Sequence, residues 1–487
     1  MLPASILKWH SRISNTAHFP ESTFEVDAAG GPVQELPLTI DRTAQRPLSV
    51  QLADALRAAA LDGRLRAGDR LPSTRALAGQ LRTSRTVVTS AYDQLHAEGW
   101  ISGRHGSGTY LTAAPTAIPD NVGRAAVARD EPQLSDLFSG YPCVAALDRA
   151  AWRRAWRGAG DRMPSEHKHR AGEPDYLAAV TEHLLRHRGL GPGADSTVLA
   201  TAGTGSAVGE LARSVLRRGD AVAIEDPGYL RAAGALRDAD IRVVPVPVDA
   251  GGIRIDRIPT DVRAVYCTPA HQFPLGARMP AGRRIELVAF ARRTGAWIIE
   301  DDYDGELRYD SAPLPLLATL APDRVIHLGT TSKILSTTLG AGWLVAGQEV
   351  TTALLAHREM VGTSPAPAGQ LVVAELARHG DLARHLRRLR REMPPRRALV
   401  VEELRAHGLD VTGDHAGSHV LVPLGSAAAE QAAVTAARQR GVLLDGLRRH
   451  HLGRRSTFGV VLGYAALPRT ELRAAVTIAA ECLAAAR

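Results

Sequence analysis

The sequence predicts an α/β protein carrying a small, basic, largely helical module at its front. Three observations predict it. From Asp136 onward, six apolar runs of strand length are mostly separated by amphipathic pieces of helix length, the pattern of a mainly parallel sheet buried on both faces. Between Leu36 and Ala113, short helical periods are followed by two strand-like runs around a glycine-rich turn. The 487 residues, 45% hydrophobic and 23% charged, suffice for two or three domains with their own cores, and they exclude overall disorder, a collagen repeat and a coiled-coil rod.

Residues 1–35 hold Pro and Ser without periodicity and read as a disordered leader, or as a start codon placed too early. Residues 1–31 lack the apolar core of a signal peptide, and no apolar run approaches the ~18 residues that cross a bilayer. The three cysteines, Cys143, Cys267 and Cys482, form no CxxC pair, which argues against a disulfide framework or a zinc site. The expectation is a cytoplasmic protein with no membrane contact and no metal.

In the front module (36–113), residues 48–62 place Val50, Leu52, Ala55, Leu56 and Ala59 on one helical face, and 63–68 make a turn. Ser73 is the N-cap of a short second helix led by Arg75, and 79–83 form the next turn. Ser84 caps a third helix over 85–98, with Val87, Val88, Ala91, Tyr92 and Leu95 at helical spacing. Strands follow at 100–102 and 109–111. The module holds ten arginines and six acidic residues. Ser84, Arg85, Thr86 and Ser90 on the third helix are short polar or bidentate groups of the kind that reach bases and phosphates in a major groove. A helical protein-interaction domain with a solvated arginine face is the competing reading of a basic helix pair. Leu71-Pro72-Ser73-Thr74-Arg75, Ser84-Arg85-Thr86-Val87 and Gly106-Ser107-Gly108-Thr109 resemble the winged helix-turn-helix of the GntR regulators. The resemblance implies double-stranded DNA as partner, with Arg75 and Arg85 touching it and Gly106 letting the wing approach its backbone. Residues 114–135, with scattered Pro, Gly and charge, read as a linker.

The body (136–487) carries chemistry just past its apolar runs, where parallel sheets hold ligands. A glycine turn, Ala202-Gly203-Thr204-Gly205, opens a helix and suits a phosphate. Tyr229 follows the second run, placed to cover a flat ring. The acidic stretch Asp301-Asp302-Tyr303-Asp304 follows the fifth, where a solvated loop and a divalent-metal site are the rival readings. Thr330-Thr331-Ser332-Lys333 follows the sixth. Lysine occurs at only three positions, Lys8, Lys168 and Lys333, so an amine at a strand end stands out. Pyridoxal 5'-phosphate (PLP) asks for these groups together: an amine for its aldehyde, a carboxylate for its pyridine nitrogen, a phenol, a flat cover and amides around its phosphate.

Glu225-Asp226-Pro227-Gly228-Tyr229, Thr268-Pro269-Ala270-His271-Gln272-Phe273-Pro274-Leu275-Gly276, Glu300 to Tyr309 and Gly329-Thr330-Thr331-Ser332-Lys333 resemble the MocR-type regulators. These are GntR winged helices fused to a fold-type-I aminotransferase-like domain. The resemblance implies a PLP Schiff base on Lys333, Asp301 on the pyridine nitrogen, Tyr303 on the ring hydroxyl and Tyr229 stacked on the ring. It puts Thr204, Gly205 and Thr330 at the phosphate, Arg231 at the carboxylate of an amino-acid or amine effector, and the chain in a homodimer. The sequence also departs from that pattern. Gly340 stands where a phosphate-clamping arginine is expected, Thr337 replaces a proline, Gly205-Ser206 replaces a Gln pair, and Val461 replaces the carboxylate-binding arginine near the C-terminus. Arg454 and Arg455 are available to replace a lost arginine, although residues 448–455 read as a solvated loop. The expected function is a PLP-responsive transcriptional regulator. A working aminotransferase and a regulator whose site has lost its cofactor are the alternatives, and the two missing arginines argue against efficient transamination.

Overall fold

The computed structural model of the chain describes residues 38–104, 108–112, 134–191, 196–309, 314–413 and 416–487. The leader (1–35), all of the expected linker but its last two residues, and Gly106 lie outside the described residues. The chain divides into two compact units between Arg129 and Asp130.

The front unit contains α1 (Leu48–Leu61), β1 (Arg70–Leu71), α2 (Thr74–Gln80), α3 (Arg85–Ala97), β2 (Ile101–Arg104) and β3 (Gly108–Leu111). Its core joins Leu52, Leu56, Leu65, Leu77, Val88, Tyr92 and Leu95 with Ile101 and Leu111 of the hairpin. On α1, Ala53 and Ala60 are buried where the helical period pointed to Val50 and Ala55, a rotation of the buried stripe by part of a turn. The turn between α2 and α3 is shorter than the sequence reading has it. Gly79 and Gln80 complete α2, and Arg82 takes the left-handed conformation at φ +48°. Both caps form, with Ser73 Oγ accepting from the Ala76 amide and Ser84 Oγ from the Val87 amide. β1, which sequence periodicity does not reveal, pairs antiparallel with β3 and makes the wing three-stranded.

The body begins with β4 (Ser135–Asp136), α4 (Arg149–Gly160) and α5 (Pro174–Arg188). It continues through β5 (Ser196–Thr201), α6 (Thr204–Ser214), β6 (Ala221–Asp226), α7 (Leu230–Asp238), β7 (Arg242–Asp249), β8 (Gly252–Ile253), β9 (Ala264–Cys267), α8 (Ala281–Thr294), β10 (Trp297–Asp302), α9 (Leu317–Leu320), β11 (Val325–Thr330) and β12 (Gly342–Gly347). Eight of these strands make one sheet in the order β5-β12-β11-β10-β9-β6-β7-β8. All six apolar runs of the sequence are strands of this sheet, and β6, β7, β9, β10 and β11 are joined by parallel ladders. Burial on both faces follows from the strand period of two. Val198, Ala223, Val265, Ile298 and Val345 belong to one apolar cluster, while their neighbours Leu199, Val222, Ala264, Ile299 and Leu344 belong to another. A second lobe follows α10 (Gln348–Val361), α11 (Pro367–Arg378) and α12 (Asp381–Ala406). It contains β13 (His419–Pro423), α13 (Ala427–Gln439), β14 (Val442–Leu443), β15 (Asp445–Gly446), β16 (Gly459–Gly463) and α14 (Arg469–Ala485). β14 pairs with β4, tying the start of the body to this lobe. No helix of the described residues is long and apolar enough to cross a membrane.

Candidate functional site

Because β5, β6, β9, β10 and β11 point the same way, the residues just past them meet at one edge of the sheet. There they line a cavity of about 560 Å³. Thr204, Gly205, Tyr229, Arg231, Asp301, Tyr303, Thr330 and Lys333, all singled out in the sequence, line it together.

Lys333 lies three residues beyond the end of β11, and its Nζ donates to the Gly140 carbonyl at 2.6 Å. Gly140 is at φ +98°, a conformation that favours glycine, and a Cβ there would stand 2.9 Å from Nζ. Burial lowers the lysine pKa, opposed by the charges of Asp304 and Asp301. Such an amine holds its proton less firmly than a surface lysine and is correspondingly the better nucleophile.

Asp301, near the end of β10, is 2% exposed. Its Oδ2 accepts from Tyr266 Oη, while Oδ1 has no hydrogen-bond partner among the described residues. Burial raises its pKa to about 7, against the lowering effect of the Tyr266 and Thr204 hydroxyls. An orphaned carboxylate oxygen is costly unless a donor or a positive group meets it. A protonated pyridine nitrogen is such a partner, and the residues present therefore fit PLP.

The acidic stretch is not a solvated loop. Asp301, Asp302, Tyr303 and Asp304 are all at most 9% exposed. Asp302 lies 2.6 Å from Arg188 Nη2, and Asp304 Oδ2 lies 2.8 Å from His271 Nδ1. Tyr303 Oη donates to the His271 carbonyl at 3.0 Å, so His271 and Asp304 fix the phenol at the cavity wall. His271, Asp304 and His419 form a buried group whose ligand-type atoms lie within 4.8 Å of one another. Tyr229 meets Phe273 edge to face, with ring centres 6.1 Å apart.

At the glycine turn Gly203 has φ +123° and no side chain caps α6, so the first amides of the helix are left for a ligand. Thr330 Oγ1 donates to Ser332 Oγ at 3.0 Å beside them. Among the described residues, and apart from its two chain neighbours, nothing lies within 4 Å of a Cβ built on Gly340. Val461, the other departure, is fully buried with Leu421 and Leu447 in a small apolar cluster.

Sequence reasoning missed the stretch Phe138–Tyr141, Arg449 and His450, and gave no site role to Thr268 and Phe273 of the motif it quoted; all of these line the cavity. It also read residues 448–455 as a solvated loop, and the structure bears this out in part: Arg448, Arg449, Gly453 and Arg454 are exposed, whereas His450 is buried and His451, Leu452 and Arg455 are half-buried. His450 is 3% exposed, Arg449 faces the cavity, and Arg455 pairs with Glu430 at 2.5 Å. The segment is held inward by Asp226, which accepts from the amides of Leu452 and Gly453, and by the Gly228 amide, which donates to the His450 carbonyl. Neither Arg454 nor Arg455 lines the cavity.

In the front unit, Arg75, Ser84, Arg85 and Thr86 are exposed around the turn and the N-terminus of α3. Arg85 Nε donates to Thr74 Oγ1 at 3.2 Å, while Ser84 Oγ is committed to its cap.

Two family profiles match the chain, that of bacterial regulatory proteins of the gntR family over residues 48–111 and that of class I and II aminotransferases over residues 151–477. Among curated relatives, the probable rhizopine catabolism regulatory protein MocR of Rhizobium meliloti is 33% identical over 461 residues, 89% of this chain and 93% of the relative. The pyridoxine biosynthesis transcriptional regulator PdxR of Corynebacterium glutamicum is 32% identical over 445 residues, 90% and 96% of the two chains. Among solved structures, the multiple substrate aminotransferase of Thermococcus profundus superposes with a TM-score of 0.67 at 23% identity, covering 73% of this chain and 93% of that one. The body therefore has the aminotransferase fold.

Proposed function

The chain belongs to the MocR-type subfamily of the GntR transcriptional regulators, and on that premise we propose that its aminotransferase-like body carries PLP on Lys333 and senses an amine or amino acid. The observation that carries this reading is the pairing, in one cavity, of a half-buried primary amine with a buried carboxylate oxygen that has no hydrogen-bond partner among the described residues. When bound, PLP supplies an aldehyde that condenses with primary amines, which is what makes exchange with an outside amine a usable signal. Lys333 holds the cofactor, Asp301 Oδ1 meets its ring nitrogen, and Tyr303 stands at its ring hydroxyl. Tyr229 covers the ring. The free amides of α6 at Thr204 and Gly205, with Thr330, take the phosphate, and Arg231 faces the effector. The front unit binds double-stranded DNA through α3, and a homodimer presents two such readers to an operator. A switch of this kind needs the effector to favour one arrangement by a few kcal/mol.

The test is reductive trapping. The chain is incubated with PLP, reduced with borohydride and digested, and the peptides are weighed. The label is expected on Lys333, with none on Lys8 or Lys168, and is lost in Lys333→Ala. A label that survives the substitution overturns the assignment. Absence of any label on the unmodified chain favours a regulator without cofactor, and steady transfer of amino groups to a keto acid favours an enzyme.

A further inference from the structure

We propose that Arg449 is the residue that reads the acid group of the effector, and that the effector is an amino acid and not a bare amine. The proposal rests on the cofactor reading above. Val461 and Asp445 are cross-strand partners in the β16–β15 ladder. A guanidinium at position 461 would stand beside the buried Asp445 carboxylate; here Val461 is apolar and Asp445 anchors an arginine from the next turn instead. Arg449 Nε lies 3.1 Å from Asp445 Oδ1, and the carboxylate is itself fixed by His450 Nε2 at 3.0 Å and Ser139 Oγ at 3.2 Å. Leu447, two residues before Arg449, packs with Val461 and Leu421, so the apolar cluster at the vacated position seats the turn that carries the new arginine.

The guanidinium is also held over the Phe138 ring, 4.8 Å from its centre. With Nε and one face engaged, the side chain stays 53% exposed at the cavity wall, where the Nη groups of a guanidinium offer the paired donors that match an oxyanion. Phe138 is two residues from Gly140, whose carbonyl takes the Lys333 amine, so Arg449 and Lys333 flank the same short stretch of chain. Among the described residues Asp301 is the one carboxylate lining the cavity, against Arg231, Lys333 and Arg449. Arg231 pairs with no carboxylate among the described residues. With the cofactor on Lys333, Arg231 and Arg449 are the cationic side chains of this wall left to meet an acid group of the ligand.

The test uses the full PLP-loaded chain and matched probes of equal length: glycine against ethylamine, and β-alanine against propylamine, each titrated by the change in cofactor absorption. Expressed as concentrations of unprotonated amine, the acids are expected to half-saturate about tenfold or more below their amines, with Arg449→Gln erasing that ratio and Arg449→Lys keeping part of it. Equal binding of acids and amines by the unmodified chain, or a ratio untouched by Arg449→Gln, overturns the proposal. A second arm needs no cofactor. Succinate is expected to raise the melting temperature of the PLP-free chain and to do so less for Arg449→Gln; no rise in the unmodified chain also overturns it. Borohydride trapping on the same samples scores cofactor capture separately, so a failure there is seen as a failure of the PLP reading and not of Arg449.

Discussion

Asp301 is placed to be unstable alone. Its Oδ2 is satisfied by Tyr266, its Oδ1 is not, and burial raises its pKa to about 7 from an ordinary 3.8. Between those values the folded chain holds a proton that the unfolded chain has released, so this residue makes stability fall as pH rises from about 4 to about 7, with the full penalty above. Asp301→Asn keeps the shape and removes the charge. The PLP-free variant is therefore expected to melt most nearly like the unmodified chain at about pH 4 and increasingly above it toward pH 8, the gap growing by an amount on the order of 2 kcal/mol. Glu225, also raised to about 7 by burial, keeps some slope in both. Melting curves across that range decide, and a gap that does not grow with pH refutes the account. Lys333 and Asp301 were legible in the sequence because their types are scarce or telling at strand ends. Arg449 was not, since a run of Arg and His reads as solvated. Its side chain is 53% exposed, and what sets its segment against the cavity are bonds to its neighbours from Asp226 and Gly228, the former reaching Leu452 from 226 positions earlier in the chain.

At the scale of the element, α3 separates two jobs that share three consecutive residues. Ser84 Oγ closes the first turn by accepting from the Val87 amide, whereas Arg85 and Thr86 are exposed beyond it. Ser84→Ala is thus expected to lower the stability of the front unit by about 1 kcal/mol through loss of the cap. Arg85→Ala is expected to leave stability alone and to weaken binding to an operator fragment by about 1–3 kcal/mol at fixed salt. Melting and gel-shift measurements on the two variants check the separation; unchanged DNA binding by Arg85→Ala would remove α3 from the interface. The helix and its cap were readable from local spacing. β1 was not, because two residues carry no period and are made a strand only by pairing with β3. The sheet order has the same limit. The six runs announce strands, but β12 enters between β5 and β11 by antiparallel pairing that no local pattern specifies.

For the whole molecule the apolar clusters set the terms of cooperativity. Every buried apolar residue of the front cluster lies between Leu52 and Leu111, and every one of the two large clusters lies beyond Leu137 or is Leu137 itself, so the described cores share no member. Two units with separate cores unfold as separate transitions unless something else couples them. A ligand that binds one folded unit raises the transition of that unit alone. PLP at about a hundred times its dissociation constant adds ~2.7 kcal/mol to the body, a shift of roughly 4 °C for a unit of that size, and leaves the smaller front transition where it was. Operator DNA does the reverse. Differential scanning calorimetry of the full chain, run with no ligand, with PLP and with DNA, is expected to show this exchange of shifts. When an effector amino acid is added to the PLP-loaded chain with DNA present, a change in the front transition measures the coupling free energy that regulation requires. A single transition moved equally by PLP and by DNA would mean that the units unfold as one and that their separate cores do not govern the response.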